Sequence, residues 1–336
     1  MKDRYPLKID AFAHIAPLKY RDLLRNVAPK ECAQMIDTFP PLFDLDHRFR
    51  IMDKYEGLVQ VIAPSWPAVE LVAPKNTVDL ARAFNDEVAG LVAKYPDRFP
   101  AGIASLPMND IDAALKETDR AINELRLRGV LIYTPINDKP LDAPEFMPLY
   151  EKMAHYNLPL LIHPMRKPDY ADYRTESESK YRLYNTFGWP YETTAAMTRI
   201  VFSGILEKYP GLKVVTHHCG GMVPYFAERI RQFQDLGEMR WGLKYFQRLT
   251  RPPIDYYKMF YADTALYGNS PALMCGNAFF GPDHLFFAID FPLGDMEFGV
   301  RNYRQTINAI EEMDISDEDR KKIYEGTARK LFHLPI

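Results

Sequence analysis

The sequence predicts an α/β protein of one domain over residues 1–336, built as a (β/α)8 barrel. Three observations predict it. Eight short apolar runs recur along the chain, and most are separated by longer stretches with helical apolar spacing. A barrel of this kind takes about 250 residues and tolerates loop insertions, so 336 residues fit one barrel with elaborated loops. No GxGxxG follows the first run, as an open doubly wound dinucleotide-binding sheet would show.

The strand candidates are residues 7–13, 58–64, 99–104, 129–133, 158–163, 212–217, 259–263 and 285–290. Helices are expected over 76–95, where Val78, Leu80, Ala81, Phe84, Val88, Leu91 and Val92 share a face, and over 110–127, with Asp110 as N-cap. Residues 146–156 and 191–209 fill the fourth and fifth crossovers. Two stretches read as insertions: 47–56 with the segment before it, and the polar, Tyr-rich 167–189. Both follow strand C-termini, the face on which such barrels carry their sites. Helices over 298–313 and 316–333 close the chain, with Ser316 as a cap and Asp319 in the first turn after it.

Composition narrows the function. With 47% hydrophobic and 26% charged residues, the chain has the balance of a globular protein with a sizeable core. A net charge of -3 without a clustered basic face argues against nucleic-acid binding. Cys32, Cys219 and Cys275 are odd in number and far apart, so they form neither a disulfide framework nor a CxxC metal motif. No apolar run approaches the roughly 20 residues of a membrane span, and Met1 to Pro6 leads into a strand without a signal region. The expectation is a cytoplasmic protein with no membrane partner.

Titratable residues stand at four strand ends: His14 on the first, His163 on the fifth, His217 and His218 on the sixth, and Asp290 on the eighth. A lone histidine at a strand end is more often structural. In a parallel barrel, however, these ends converge on one face, and imidazoles with a carboxylate suit a borderline divalent cation such as Zn²⁺. Arg48 is a candidate partner for a substrate carboxylate, and Trp189 and Tyr191 are candidate pocket walls.

The order of motifs resembles the amidohydrolase superfamily, in the amidohydrolase-2 branch that holds aminocarboxymuconate-semialdehyde decarboxylase and the γ-resorcylate-type decarboxylases. The segments that carry the resemblance are Ile9-Asp-Ala-Phe-Ala-His14, Gly129-Val-Leu-Ile-Tyr133, Pro140-Leu-Asp-Ala-Pro-Glu-Phe146, Leu158-Pro-Leu-Leu-Ile-His-Pro164 and Gly188-Trp-Pro-Tyr-Glu192. They continue with Val201-Phe-Ser-Gly204, Thr216-His-His-Cys-Gly-Gly221, Phe260-Tyr-Ala-Asp-Thr264 and Phe287-Ala-Ile-Asp-Phe-Pro292. The resemblance implies a distorted TIM barrel with His14, His163 and Asp290 as metal ligands and His218, with Asp290, as the catalytic pair. His217 falls on a neighbouring position without a role. Arg229 is similar to an arginine that reaches a neighbouring subunit to bind a substrate carboxylate, against the alternative of a surface helix arginine. A homodimer or higher homo-oligomer is implied.

One position departs from the pattern. The first strand of the family supplies HxH or ExH, whereas here it reads Phe12-Ala-His14, and Phe12 cannot coordinate. The expected cofactor is a divalent metal, zinc first and manganese second, with a metal-free acid/base enzyme as the other possibility. The expected reaction is metal-dependent, non-oxidative decarboxylation of an aromatic or conjugated carboxylic acid. The alternatives are a hydrolase of a lactone, amide or related carbonyl compound, a hydratase, or a barrel that binds without catalysis.

Overall fold

A computed structural model describes residues 5–242, 244 and 249–336. Among the described residues, nine strands, all parallel to their neighbours, form two ladders in the orders β1-β2-β3 and β4-β5-β6-β7-β8-β9. They are β1 (Lys8–Ile15), β2 (Leu58–Pro64), β3 (Ala101–Gly102), β4 (Ala104–Ser105), β5 (Val130–Thr134), β6 (Leu160–Pro164), β7 (Val214–Thr216), β8 (Tyr261–Asp263) and β9 (Leu285–Phe286).

Each lies within or one to two residues past one of the eight expected runs, the third being divided. Ile103 separates β3 from β4. Its N–H still reaches the Ile62 carbonyl of β2, while Ala104 N–H turns to the Gly129 carbonyl. The third strand therefore passes the ring from one ladder to the other. On the far side, Ala11 N–H donates to Phe287 O and His14 N–H to Phe291 O, tying β1 to the chain that continues β9. The eighth strand is shorter than the expected 285–290. Ala288 N–H is taken by the Thr264 hydroxyl and Asp290 adopts φ +64°, so the backbone leaves the extended conformation at the site.

Strand alternation divides the apolar residues into two cores. Ile9, Val61, Ile103, Leu131, Leu161, Val215 and Phe286 pack together inside the ring, with Phe12 above them. The alternate residues, such as Ile62, Val130, Ile132, Leu160, Ile162 and Val214, meet the helices outside.

The helices over Thr77–Lys94, Ile111–Asn123, Met147–Tyr156 and Val300–Glu311 follow the expected apolar faces. Both proposed caps form: Asp110 accepts from Ala113 N–H and Ser316 from Asp319 N–H, each at 3.0 Å. The expected helix over 191–209 begins earlier and is divided into Gly188–Phe202 and Ile205–Lys208. Gly204 at φ +78° ends the first and starts the second. The insertion between β1 and β2 contains three short helices, Leu18–Val27, Lys30–Asp37 and Leu45–Met52. Pro17 and Pro29 stand just before the first two, and so short a stretch shows only two or three turns of pattern. Helices over Ala227–Trp241 and Ser270–Phe280 complete the outer layer. Among the described residues, no helix is long and apolar enough to cross a membrane.

Candidate active site

Four strand ends bring His14, His163, His217 and Asp290 together, all buried. Each imidazole is fixed through Nδ1. His14 Nδ1 bonds to Pro64 O at 2.7 Å, His163 Nδ1 to Pro164 O at 2.8 Å, and His217 Nδ1 to the Asp263 carboxylate. With Nδ1 occupied, all three rings turn Nε2 inward, as metal-binding imidazoles held by an outer acceptor do. His217 Nε2 and His14 Nε2 each lie 3.1 Å from Asp290 Oδ1, and only the His217 contact has hydrogen-bond alignment. His14 Nε2 and His163 Nε2 are buried without a hydrogen-bond partner.

The donor atoms of the four residues all lie within 4.8 Å of one another. Donors at about 2.1 Å from one metal stand roughly 3–4 Å apart, so the set is of the right size for a divalent cation. Two buried imidazole nitrogens without a hydrogen-bond partner are otherwise a costly arrangement. Phe12 forms the floor. Its ring centroid is 4.3 Å from His217, 5.4 Å from His14 and 6.3 Å from His163.

Asp263, at the end of β8, organises the wall opposite. One oxygen takes His217 Nδ1 and the backbone N–H of His218; the other takes Cys219 and Ala265 N–H. His218 (φ +52°) and Cys219 (φ +53°) are both left-handed, followed by Gly220 and Gly221 at φ +75° and +61°. The four acceptor bonds at Asp263 hold this unfavourable turn. It carries His218 to the open side of the cluster, with Nε2 3.8 Å from Asp290 Oδ2. Tyr267 OH donates to the same oxygen at 3.1 Å.

The charge distribution follows from these contacts. Burial opposes ionisation of Asp290, but the imidazoles of His14, His217 and His218 outweigh it and hold the carboxyl well below its usual range. For His217, burial is likewise outweighed, by Asp263 and Asp290 together, and its pKa rises to about 10. Burial, then the neighbouring His217 and His14, push His163 well below the ordinary imidazole value. Burial and His217 also lower His218. The site thus holds neutral imidazole at His163 and His218, the form that can coordinate or exchange a proton, whereas His217 carries a proton toward each carboxylate, and a cation bound there would displace the one on Nε2.

The structure brings His14, His163, His218 and Asp290 to one place, as their strand positions required. It also places His217, given no role from the sequence, at the centre of the cluster. The alternation of β7 turns Thr216 away, and the strand leads His217 inward before the left-handed turn begins. Trp189 lies beside the site, its ring centroid 5.5 Å from His163 and 6.4 Å from His218. Tyr191 is half exposed, further along the same helix. Arg229 is exposed and stacks over Phe233 at 4.3 Å.

Arg48 corrects an expectation. It is fully buried, and its guanidinium donates to Gln60 Oε1 and to the His14 and Pro41 carbonyls, with Phe291 stacked against it. That network continues through Tyr303 to Asp10, so Arg48 braces β1 from behind. Two features went unread in the sequence. Arg166, two residues past β6, pairs with Glu192 at 3.1 Å beside Trp189. Glu70 is buried with one oxygen unpartnered, as is the Tyr133 hydroxyl, whose ring lies 5.4 Å from His163. Nothing in their local pattern marks them, because only the tertiary fold buries them. A separate groove of about 890 Å³, lined by Leu18, Arg21, Phe43 and Glu87 among others, lies outside the ring and includes none of the cluster.

Comparison with known proteins agrees with this geometry. The family model described as amidohydrolase matches residues 9–334. A γ-resorcylate decarboxylase from Polaromonas sp. is 31% identical over 297 residues, covering 86% of this chain and 87% of its own. A 6-methylsalicylic acid decarboxylase from Penicillium expansum is 28% identical, covering 97% of this chain and 96% of its own. Among solved structures, a dihydroxybenzoic acid decarboxylase from Polaromonas sp., with bound manganese and the inhibitor 2-nitroresorcinol, superposes with a TM-score of 0.76 at 26% identity, covering 97% of each chain. With one family model spanning nearly its whole length, this chain belongs to the amidohydrolase family.

Proposed function

We propose that this protein is a metal-dependent, non-oxidative decarboxylase of an aromatic or conjugated carboxylic acid. The observation that carries the reading is the set of fixed, inward-facing imidazoles around a buried carboxylate, two of them with unpartnered Nε2 atoms. His14, His163 and Asp290 would hold the cation. Three imidazoles in reach favour zinc by ligand softness, while manganese is the ion bound in the Polaromonas structure. When bound, the cation supplies a Lewis acid and a template for the substrate's carboxylate and an adjacent oxygen.

The protein's own groups supply the rest. Trp189 and Phe12 give an aromatic ring apolar surfaces beside the imidazoles. His218 is the cluster imidazole whose Nδ1 has no partner, and it sits on the open side next to Asp290. It is the group placed to take up a proton and pass it, directly or through Asp290, to the ring carbon that bears the carboxylate. Protonation there breaks the ring conjugation. Cleavage of the carbon–carboxylate bond then returns its electron pair to the ring, and CO₂ leaves. Neutral His218 near neutrality suits this exchange.

The test is CO₂ release from a panel of hydroxybenzoic and conjugated acids by protein loaded with zinc or with manganese. His163→Ala should lose both metal and activity. Water uptake with ring opening and no CO₂ would instead establish a hydrolase. We further propose self-association. Tyr225, Phe233, Met239 and Trp241 are large apolar residues exposed on, or just before, the helix that carries Arg229, and exposed apolar surface of this kind is what association covers. A monomeric mass in solution would overturn this. Three unpaired cysteines support a reducing compartment, the cytoplasm.

A further inference from the structure

We infer that His217 supplies the coordination that Phe12 cannot, so that the metal donor set is His14, His163, His217 and Asp290. The inference rests on the metal-dependent reading above and assigns a ligand to it. Phe12 lies two residues before His14 and its ring sits against the same cluster, but it carries no donor atom. The ring packed most closely on Phe12, at 4.3 Å, is His217. The imidazole from the end of β7 therefore covers the position that the first strand leaves without a ligand.

Its geometry is that of a ligand rather than a bystander. His217 Nε2 is 3.1 Å from Asp290 Oδ1, the same separation as His14 Nε2 from that atom. Its Nδ1 is held by a buried carboxylate, Asp263, which fixes both ring orientation and tautomer. The adjacent His218 differs on each count. Its Nδ1 has no partner, and its Nε2 faces the other Asp290 oxygen at 3.8 Å. Two consecutive histidines thus divide the work, one inward for the metal and one outward for the proton, because the left-handed turn begins between them.

The decisive variant is His217→Asn. Its amide can still donate to Asp263 where Nδ1 does, but it does not extend to the Nε2 position. Metal content and affinity are measured by elemental analysis and chelator competition, with His218→Asn as the companion. In His217→Asn the affinity should fall at least about 100-fold, since loss of a ligand exceeds the ~10–100-fold cost of losing an outer partner. His218→Asn should stay within a few-fold of the unaltered protein.

An independent readout needs no variant. In the cobalt-substituted protein, proton NMR should show three strongly shifted exchangeable Nδ1–H signals, from His14, His163 and His217. Two such signals, or unchanged affinity in His217→Asn, would overturn the inference and leave a site of His14, His163 and Asp290. Absence of any metal binding in the unaltered protein would overturn the metal-dependent reading itself.

Discussion

Asp263→Asn is the sharpest perturbation of this site, because the amide cannot reproduce the four bonds of the carboxylate. Asp263 accepts on both oxygens: from His217 Nδ1 and His218 N–H on one, and from Cys219 and Ala265 N–H on the other. Asparagine must turn an NH₂ toward one of these sides. If it faces the Cys219 side, two buried backbone N–H groups lose their acceptor, at about 1–3 kcal/mol each. If it faces His217, one backbone N–H is lost, and His217 Nδ1 must become an acceptor. The ring proton then moves to Nε2, aimed at Asp290 Oδ1, and the lone pair that a metal needs is gone. The same wrong-tautomer logic governs the aspartate of a serine-protease triad.

The second arrangement costs less, so the expected outcome is a modest loss of stability with a large loss of metal affinity. With an unfolding entropy of about 2.1 cal/mol/K per residue, 336 residues give about 0.7 kcal/mol per degree. A loss of about 1–3 kcal/mol lowers Tm by roughly 1–4 °C. Metal affinity should fall by about 10–100-fold or more. The assay pairs chelator competition with thermal melting of the metal-free protein. Metal affinity within threefold of the unaltered protein would refute the reasoning, since the tautomer of His217 would then be irrelevant to the site.

Two further perturbations test the buried polar groups away from the cluster. Burial raises the Glu70 pKa from 4.5 to about 7. The folded protein then binds this proton where the unfolded chain has lost it, so stability is full below pH 4.5 and declines as pH rises to 7, by about 2–3 kcal/mol. Glu70→Gln should therefore raise Tm at pH 8 and leave it nearly unchanged at pH 4; equal shifts at both would contradict the assignment. Arg48→Met strands Gln60 Oε1 and the His14 and Pro41 carbonyls, at a cost of about 1–3 kcal/mol for each buried acceptor left without a donor. Denaturant unfolding should show that loss, whereas a tenfold rise in KM at unchanged stability would return Arg48 to the substrate.

The barrel was legible because its signal is repetitive. Eight apolar runs and the helical faces between them need only local pattern, and parallel topology then brings the strand ends together. That is why His14, His163, His218 and Asp290 could be grouped from the sequence alone, and why Asp110 and Ser316 could be read as caps. The short helices after β1 and the buried state of Glu70 and Arg48 were not legible. Burial of a polar side chain depends on what folds over it, and two turns of helix between prolines carry too little periodicity to read.

The contrast is clearest at the two adjacent histidines. Sequence determined that a pair of imidazoles follows the sixth apolar run and that Phe12 cannot bind a metal. Only the tertiary structure decided which histidine faces inward. That depends on Asp263, 46 residues from His217 along the chain, whose carboxylate fixes one ring toward Asp290 and holds the strained turn that swings the other away. Coordination geometry is set by where backbone and outer-shell acceptors converge in space, and a linear pattern of residue types does not carry that information.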